Sequence, residues 1–268
     1  MAFQKIKLDF NDGVAQLTLN DPSALNAVSP AMLDELLGAM DIVVADYNDA
    51  RAFVMTGEGR GFCAGANLAG GSSDEEPRSD RMSRDAGELL ETHYHPFLMK
   101  LRDLPMPFIS AVNGVAAGVG MSFAISADMV IADRSAYFLQ AFTRIGLVPD
   151  GGSTYLLPRL IGTRRAVELS MLADKLSATT ALEWGLINRV VDDGTALSEA
   201  MNIAARLAKG PTQSYKMARQ LYAQTWDNSY AEQLHAERMM QKEAGRTDDC
   251  AEGIMAFLEK RPAVFKGK

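Results

Sequence analysis

The sequence predicts an α/β protein that ends in a helical region. Three features predict it: an alternating hairpin at the start, short apolar strands separated by helical segments up to residue 194, and unbroken helical periodicity beyond. With 268 residues, 47% of them hydrophobic, the chain can bury a large core.

Residues 4–20 alternate in the strand manner on either side of Asn11-Asp12-Gly13, a turn tripeptide whose Asp-Gly pair accommodates positive φ. Ser29 is a good N-cap and Pro30 suits a first helical position, so the apolar series Met32, Leu33, Leu36, Leu37, Met40 and Val43 predicts an amphipathic helix. Buried strands are expected at 52–56, 107–112 and 129–132, each closed by a glycine-, asparagine- or charge-bearing turn. The repeating unit is strand, loop, helix. Residues 69–82 are glycine-rich, charged and almost free of hydrophobes, and read as a mobile loop. Helices are expected over 195–209, 211–226, 230–244 and 248–260, which places a boundary near Gly194 between regions 1–194 and 195–268.

A net charge of −7 argues against a nucleic-acid surface, which needs clustered Lys and Arg. Cys63 and Cys250 are far apart and form no CxxC arrangement, so no disulfide framework or zinc cluster is expected. The first twenty residues lack the features of a secretion signal. The apolar stretch 108–132 is interrupted by Ser110, Asn113, Ser122, Ser126 and Asp128. A cytoplasmic protein with no membrane association is the expectation. His93 and His95 make a poor metal pair, because alternate positions on a helix face apart.

Two segments place glycine and alanine where a core would prefer larger side chains: 61–68, Gly-Phe-Cys-Ala-Gly-Ala-Asn-Leu, and 111–120, Ala-Val-Asn-Gly-Val-Ala-Ala-Gly-Val-Gly. Such loops let a backbone approach a ligand closely and, where they open a helix, present free N–H groups suited to an anionic oxygen. Either segment alone could be a tight strand-to-helix turn. Together, with the phrases at 135–138, 145–152, 157–162 and 181–187, they resemble the crotonase (enoyl-CoA hydratase/isomerase) superfamily over nearly the whole chain.

That resemblance implies a crotonase-like spiral of ββα units followed by a helical C-terminal trimerisation region. It also implies an acyl-CoA substrate whose carbonyl sits between two backbone amides. By position in the motifs, those amides belong to Ala66 and Val119. The second position is commonly glycine, so Val119 departs from the pattern, although its main chain can still donate. CoA, present only as part of the substrate, is expected along Ala24, Leu25 and Ala27 and against Ala64, Asn67 and Leu68, with Gly118 beside it; no permanently bound cofactor or metal is implied. The basic terminal residues Lys260, Arg261, Lys266 and Lys268 could serve the nucleotide phosphates or form a frayed, solvated tail.

Hydratases of this family hold water between two glutamates. The matching residues here, Ser122 and Phe142, cannot act as carboxylate bases and are expected to line the substrate site instead. An acid does appear at Asp150, where several isomerases of the superfamily carry Asp or Glu. One carboxylate near both carbons can move a proton from one to the other, and an apolar setting from Phe138, Phe142 and Leu147 would raise its pKa usefully. The competing role for Asp150 is to cap a helix starting near Gly151. The resemblance favours the isomerase branch that acts on ring-epoxidised phenylacetyl-CoA and on enoyl-CoA double bonds. Alternatives are a hydratase with non-standard acid-base groups, an aryl-CoA dehalogenase-like hydrolase with His95 near the aspartate, and a non-catalytic acyl-CoA-binding scaffold.

Overall fold

The computed structural model describes residues 3–45, 50–68, 85 and 87–268, so the loop expected at 69–82 lies outside the described residues. The N-terminal hairpin pairs β1 (Ile6–Asn11) with β2 (Val14–Leu19) across Asp12 and Gly13, both at positive φ. Helix α1 (Pro30–Ala45) follows, and Ser29 caps it by accepting from the Met32 N–H at 3.2 Å. Strands β3 (Ala52–Gly57) and β4 (Gly61–Cys63) precede α2 (His95–Arg102), which is entered through a π-helical turn at Leu90–Tyr94. Next come β5 (Phe108–Val112), β6 (Val115–Ala117) and α3 (Val119–Ile125), then β7 (Met129–Asp133), β8 (Tyr137–Leu139), α4 (Ser153–Ile161) and α5 (Thr163–Leu172).

Each turn of this spiral sends a long strand into one sheet and a short strand into a second. The larger sheet runs β1-β2-β3-β5-β7-β10, closed by β10 (Arg189–Val191). The smaller runs β4-β6-β8-β9, closed by β9 (Leu176–Ser177), with α6 (Ala178–Glu183) between them in sequence. Apart from the β1/β2 and β8/β9 pairs, all pairings are parallel. The fold is therefore the expected α/β spiral of ββα units. The short strands correct the sequence reading, because the two glycine-rich segments read as loops each contain a buried three-residue strand.

The middle strands are buried on both faces, which accounts for their continuous apolar character. Phe53 and Met55 of β3, Phe108 and Val112 of β5, and Val130 and Ala132 of β7 face the main core, where the Phe53 and Phe108 rings lie 5.2 Å apart. The alternate residues Ala52, Val54, Ile109, Ala111 and Ile131 face α7 (Ala196–Ala208), which lays Ala196, Ala200, Ile203, Ala204 and Ala208 against them. The buried Asp133 carboxylate, at the end of β7, accepts from the N–H groups of Gly194, Thr195 and Ala196, neutralising the donors at the start of α7.

The remaining helices α8 (Thr212–Gln224), α9 (Tyr230–Ala244) and α10 (Asp248–Glu259) match the predicted ranges within a few residues. The tail is not frayed. The Asp249 carboxylate accepts from the N–H groups of Lys266 and Gly267 at 2.6 and 2.8 Å, and the Arg51 guanidinium donates to the Phe265 carbonyl at 3.1 Å. Arg261 is paired with Glu252 and Glu259. No helix among the described residues is long and apolar enough to cross a membrane.

Candidate active site

The two glycine-rich segments meet. A Cβ placed on Gly65 would lie 3.0 Å from the Ala117 carbonyl oxygen, and one on Gly118 would lie 3.8 Å from the Gly65 Cα. The stretch before α1 pairs with the first segment: Ala64 N–H donates to Leu25 O at 3.0 Å, Val28 N–H to Gly65 O at 2.7 Å, and Asn67 N–H to Val28 O at 2.9 Å. This is a parallel bridge between Val28 and Ala66. In such a bridge the central residue's own N–H points away from its partner, so the exposed Ala66 directs its amide outward. Val119 is the first residue of α3, where an N–H has no intrahelical acceptor. Among the described residues neither the Ala66 nor the Val119 N–H donates to a backbone carbonyl.

The residues expected to line the CoA thus come together around one paired segment, with Ala24, Leu25 and Ala27 on one side and Ala64, Asn67 and the 70% exposed Leu68 on the other. The sequence reading missed what organises it. Leu25 and Asn26 both have positive φ, and the fully buried Asn26 side chain donates to Glu58 O at 3.0 Å and Gly61 O at 2.8 Å while accepting from Asp21 N–H at 2.8 Å. Asparagine's tolerance of left-handed backbone was the available signal. Asn26→Ala is expected to cost about 2–3 kcal/mol in chemical denaturation, because one donor and two acceptors lose their partner.

Asp150 does not cap a helix. Helix α4 starts at Ser153 behind Gly152, without a side-chain cap, and it is the Asp150 main-chain carbonyl that is held. That oxygen accepts from Ser153 Oγ at 2.8 Å, Ser153 N–H at 3.1 Å and Ser122 Oγ at 3.2 Å. The carboxyl is left to the site: its Oδ1 is buried and has no hydrogen-bond partner among the described residues. Burial pushes the Asp150 pKa up to about 6, opposed by the nearby His95.

Gly151 seats this turn on α3. A Cβ there would lie 2.9 Å from both Cβ and Oγ of Ser122 and 3.2 Å from Cγ2 of Val119. The Val119 side chain is therefore directed at the Gly151 backbone. Phe142 lies on the other side, its ring 3.8 Å from a Cβ built on Gly118. Of the three apolar residues expected around Asp150, Phe138 and Phe142 are buried but Leu147 is 40% exposed.

His95 is exposed, and the π-helical turn before it brings the buried Tyr94 within electrostatic reach of Asp150 and Cys63. His93 turns away to Asp34, at 3.3 Å, rather than joining His95. Among the described residues no group of three or more His, Cys, Asp or Glu is placed to hold a metal ion.

A family model described as enoyl-CoA hydratase/isomerase matches residues 9–268. The chain belongs to the enoyl-CoA hydratase/isomerase family. Among the relatives of this family member, the 1,2-epoxyphenylacetyl-CoA isomerase of Escherichia coli (strain K12) is 43% identical over 256 residues, 96% of each chain. A trans-2-decenoyl-acyl-carrier-protein isomerase of Streptococcus mutans is 31% identical over the full length of both chains. The crystal structure of an enoyl-CoA hydratase from Polaromonas sp. JS666 matches with a TM-score of 0.87 at 32% identity, covering 97% of this chain and 99% of the other. Isomerases and a hydratase thus share this crotonase fold with the present chain.

Proposed function

We propose that the protein is an acyl-CoA isomerase that shifts a double bond, or rearranges a ring epoxide, in a CoA thioester through one carboxylate. The observation that carries this reading is Asp150, whose buried carboxyl oxygen has no hydrogen-bond partner among the described residues, in a site where Ser122 and Phe142 stand at the hydratase glutamate positions. In double-bond migration the thioester oxygen accepts from the Ala66 and Val119 N–H groups. Asp150 removes a proton from one carbon flanking the double bond, and the electron pair delocalises into a dienolate whose charge rests on that oxygen. The protonated Asp150 then returns the proton to the other end of the system. No water is consumed, and each amide supplies about 10²–10³ in rate by stabilising the oxyanion.

The paired segments carrying Ala24, Leu25, Ala27, Ala64, Asn67 and Leu68 hold the pantetheine, a narrow, polar arm that lies along their backbone. The enzyme works without a bound cofactor, and self-association through the helical C-terminal region 195–268 accompanies it. That region exposes the large apolar side chains Tyr222, Trp226, Tyr230, Phe257 and Leu258. A homotrimer or a dimer of trimers is expected by light scattering at micromolar concentration; a monomer overturns that assignment.

The direct test is turnover of trans-3-enoyl-CoA, ring-epoxidised phenylacetyl-CoA and crotonyl-CoA. Isomerisation without hydration is the expected result, and robust hydration of crotonyl-CoA refutes the single-carboxylate mechanism.

The pKa of Asp150 adds two pH predictions. As a base it must be ionised, so kcat/KM is expected to rise through a single ionisation near pH 6 and then level off. For stability the sign is opposite. A carboxyl whose pKa is raised on folding favours the folded state below its unfolded pKa of about 3.9, and that contribution is lost as pH rises through about 6. Asp150→Asn removes the penalty of the buried charge. After allowance for solvent screening, it should be more stable than wild type by about 1–2 kcal/mol at about pH 8, with the gain vanishing near pH 4. Urea denaturation at both pH values measures this.

A further inference from the structure

We infer that Ser122 is a positioning residue for Asp150. The inference rests on the isomerase reading and deepens it.

Ser122 is fully buried and its hydroxyl hydrogen-bonds the Asp150 main-chain carbonyl. With the two donors of Ser153, it fixes the backbone of the catalytic residue while the carboxyl Oδ1 has no hydrogen-bond partner among the described residues. Backbone anchoring of this kind holds a base in place without competing for its lone pairs. Ser122 also stands one turn after Val119 on the seven-residue α3. The amide that stabilises the oxyanion and the hydroxyl that steadies the base therefore belong to one short rigid element.

The serine also supports the turn directly: Gly151 approaches so closely that a Cβ on it would fall 2.9 Å from Ser122 Cβ and Oγ, so the 150–151 backbone rests on this side chain.

The test measures isomerisation of trans-3-enoyl-CoA and binding of unreactive butyryl-CoA, using Ser122→Ala and Asp150→Asn. Ser122→Ala keeps the Cβ under Gly151 and removes only the donor, so kcat should fall about threefold to tenfold with KM within about twofold. Unchanged kcat in Ser122→Ala, in a protein that Asp150→Asn inactivates, overturns the inference and leaves the isomerase reading standing. Full turnover by Asp150→Asn removes the isomerase reading and this inference with it.

Discussion

Asp150→Asn is expected to lower isomerase turnover by about 10²–10⁴-fold, the usual worth of a positioned acid-base group. Asparagine has nearly the same shape but cannot take up a proton, so the change removes the reaction's only proposed proton carrier. The surroundings should survive, because Ser122 and Ser153 bind the main-chain carbonyl of residue 150 and not its side chain. The loss should therefore fall on kcat, with butyryl-CoA binding changed little. The rise of activity near pH 6 should vanish from whatever turnover remains. A loss under about tenfold, or residual activity keeping that pH profile, would place the base on another residue. A scaffold that merely binds acyl-CoA predicts no turnover in either protein, which separates it from an enzyme that has lost its base.

The parts of this arrangement legible in the sequence are those with local causes. The hairpin across Asp12-Gly13, the α1 start at Ser29-Pro30 and the four C-terminal helices each carry a turn, cap or 3.6-residue pattern within a dozen residues. The strands of the smaller sheet carry none. At two or three residues and mostly buried, they are too short to alternate, and they exist only because distant neighbours pair with them. The docked tail is similar: Lys266 and Gly267 look solvated until Asp249 and Arg51 are brought beside them. Within the site, Asp150 and the two glycine-rich segments stood out by composition and family resemblance. The burial of its carboxyl and the contact between Gly151 and Ser122, 29 residues apart in sequence, did not, because both arise from packing. Asn26 was visible as a residue but not as an organiser, since two of its partners, Glu58 and Gly61, are more than thirty residues away in sequence.

Gly118→Ala should be nearly as damaging as loss of the base, for a reason independent of proton transfer. Gly118 sits at φ 51, ψ −128, a backbone conformation open essentially to glycine alone. Space is not the obstacle, since the added Cβ would make ordinary contacts of 3.8 Å with Gly65 and Phe142. The obstacle is torsional, about 1–3 kcal/mol, and the chain can relieve it only by turning a peptide unit. The Gly118 N–H is fixed to Leu139 O at 2.8 Å, and the Gly118 carbonyl accepts from Met121 N–H at 3.0 Å and Ser122 N–H at 3.3 Å, so turning the peptide that carries the Val119 N–H also disrupts the first bonds of α3. If that amide turns from the thioester oxygen, one of two oxyanion donors is lost, and kcat should drop by about 10²–10³-fold with the ionisation near pH 6 still visible. A pH profile that disappears along with activity would mean the substitution had disturbed Asp150 instead. Gly194→Ala supplies the control, being another positive-φ glycine with open space around its Cβ, in the turn before α7. It should cost about 1–2 kcal/mol of stability and leave kcat unchanged. Equal loss of activity in both variants would attribute the Gly118 effect to general destabilisation, whereas a loss confined to Gly118→Ala ties its left-handed backbone to the direction of a single catalytic amide.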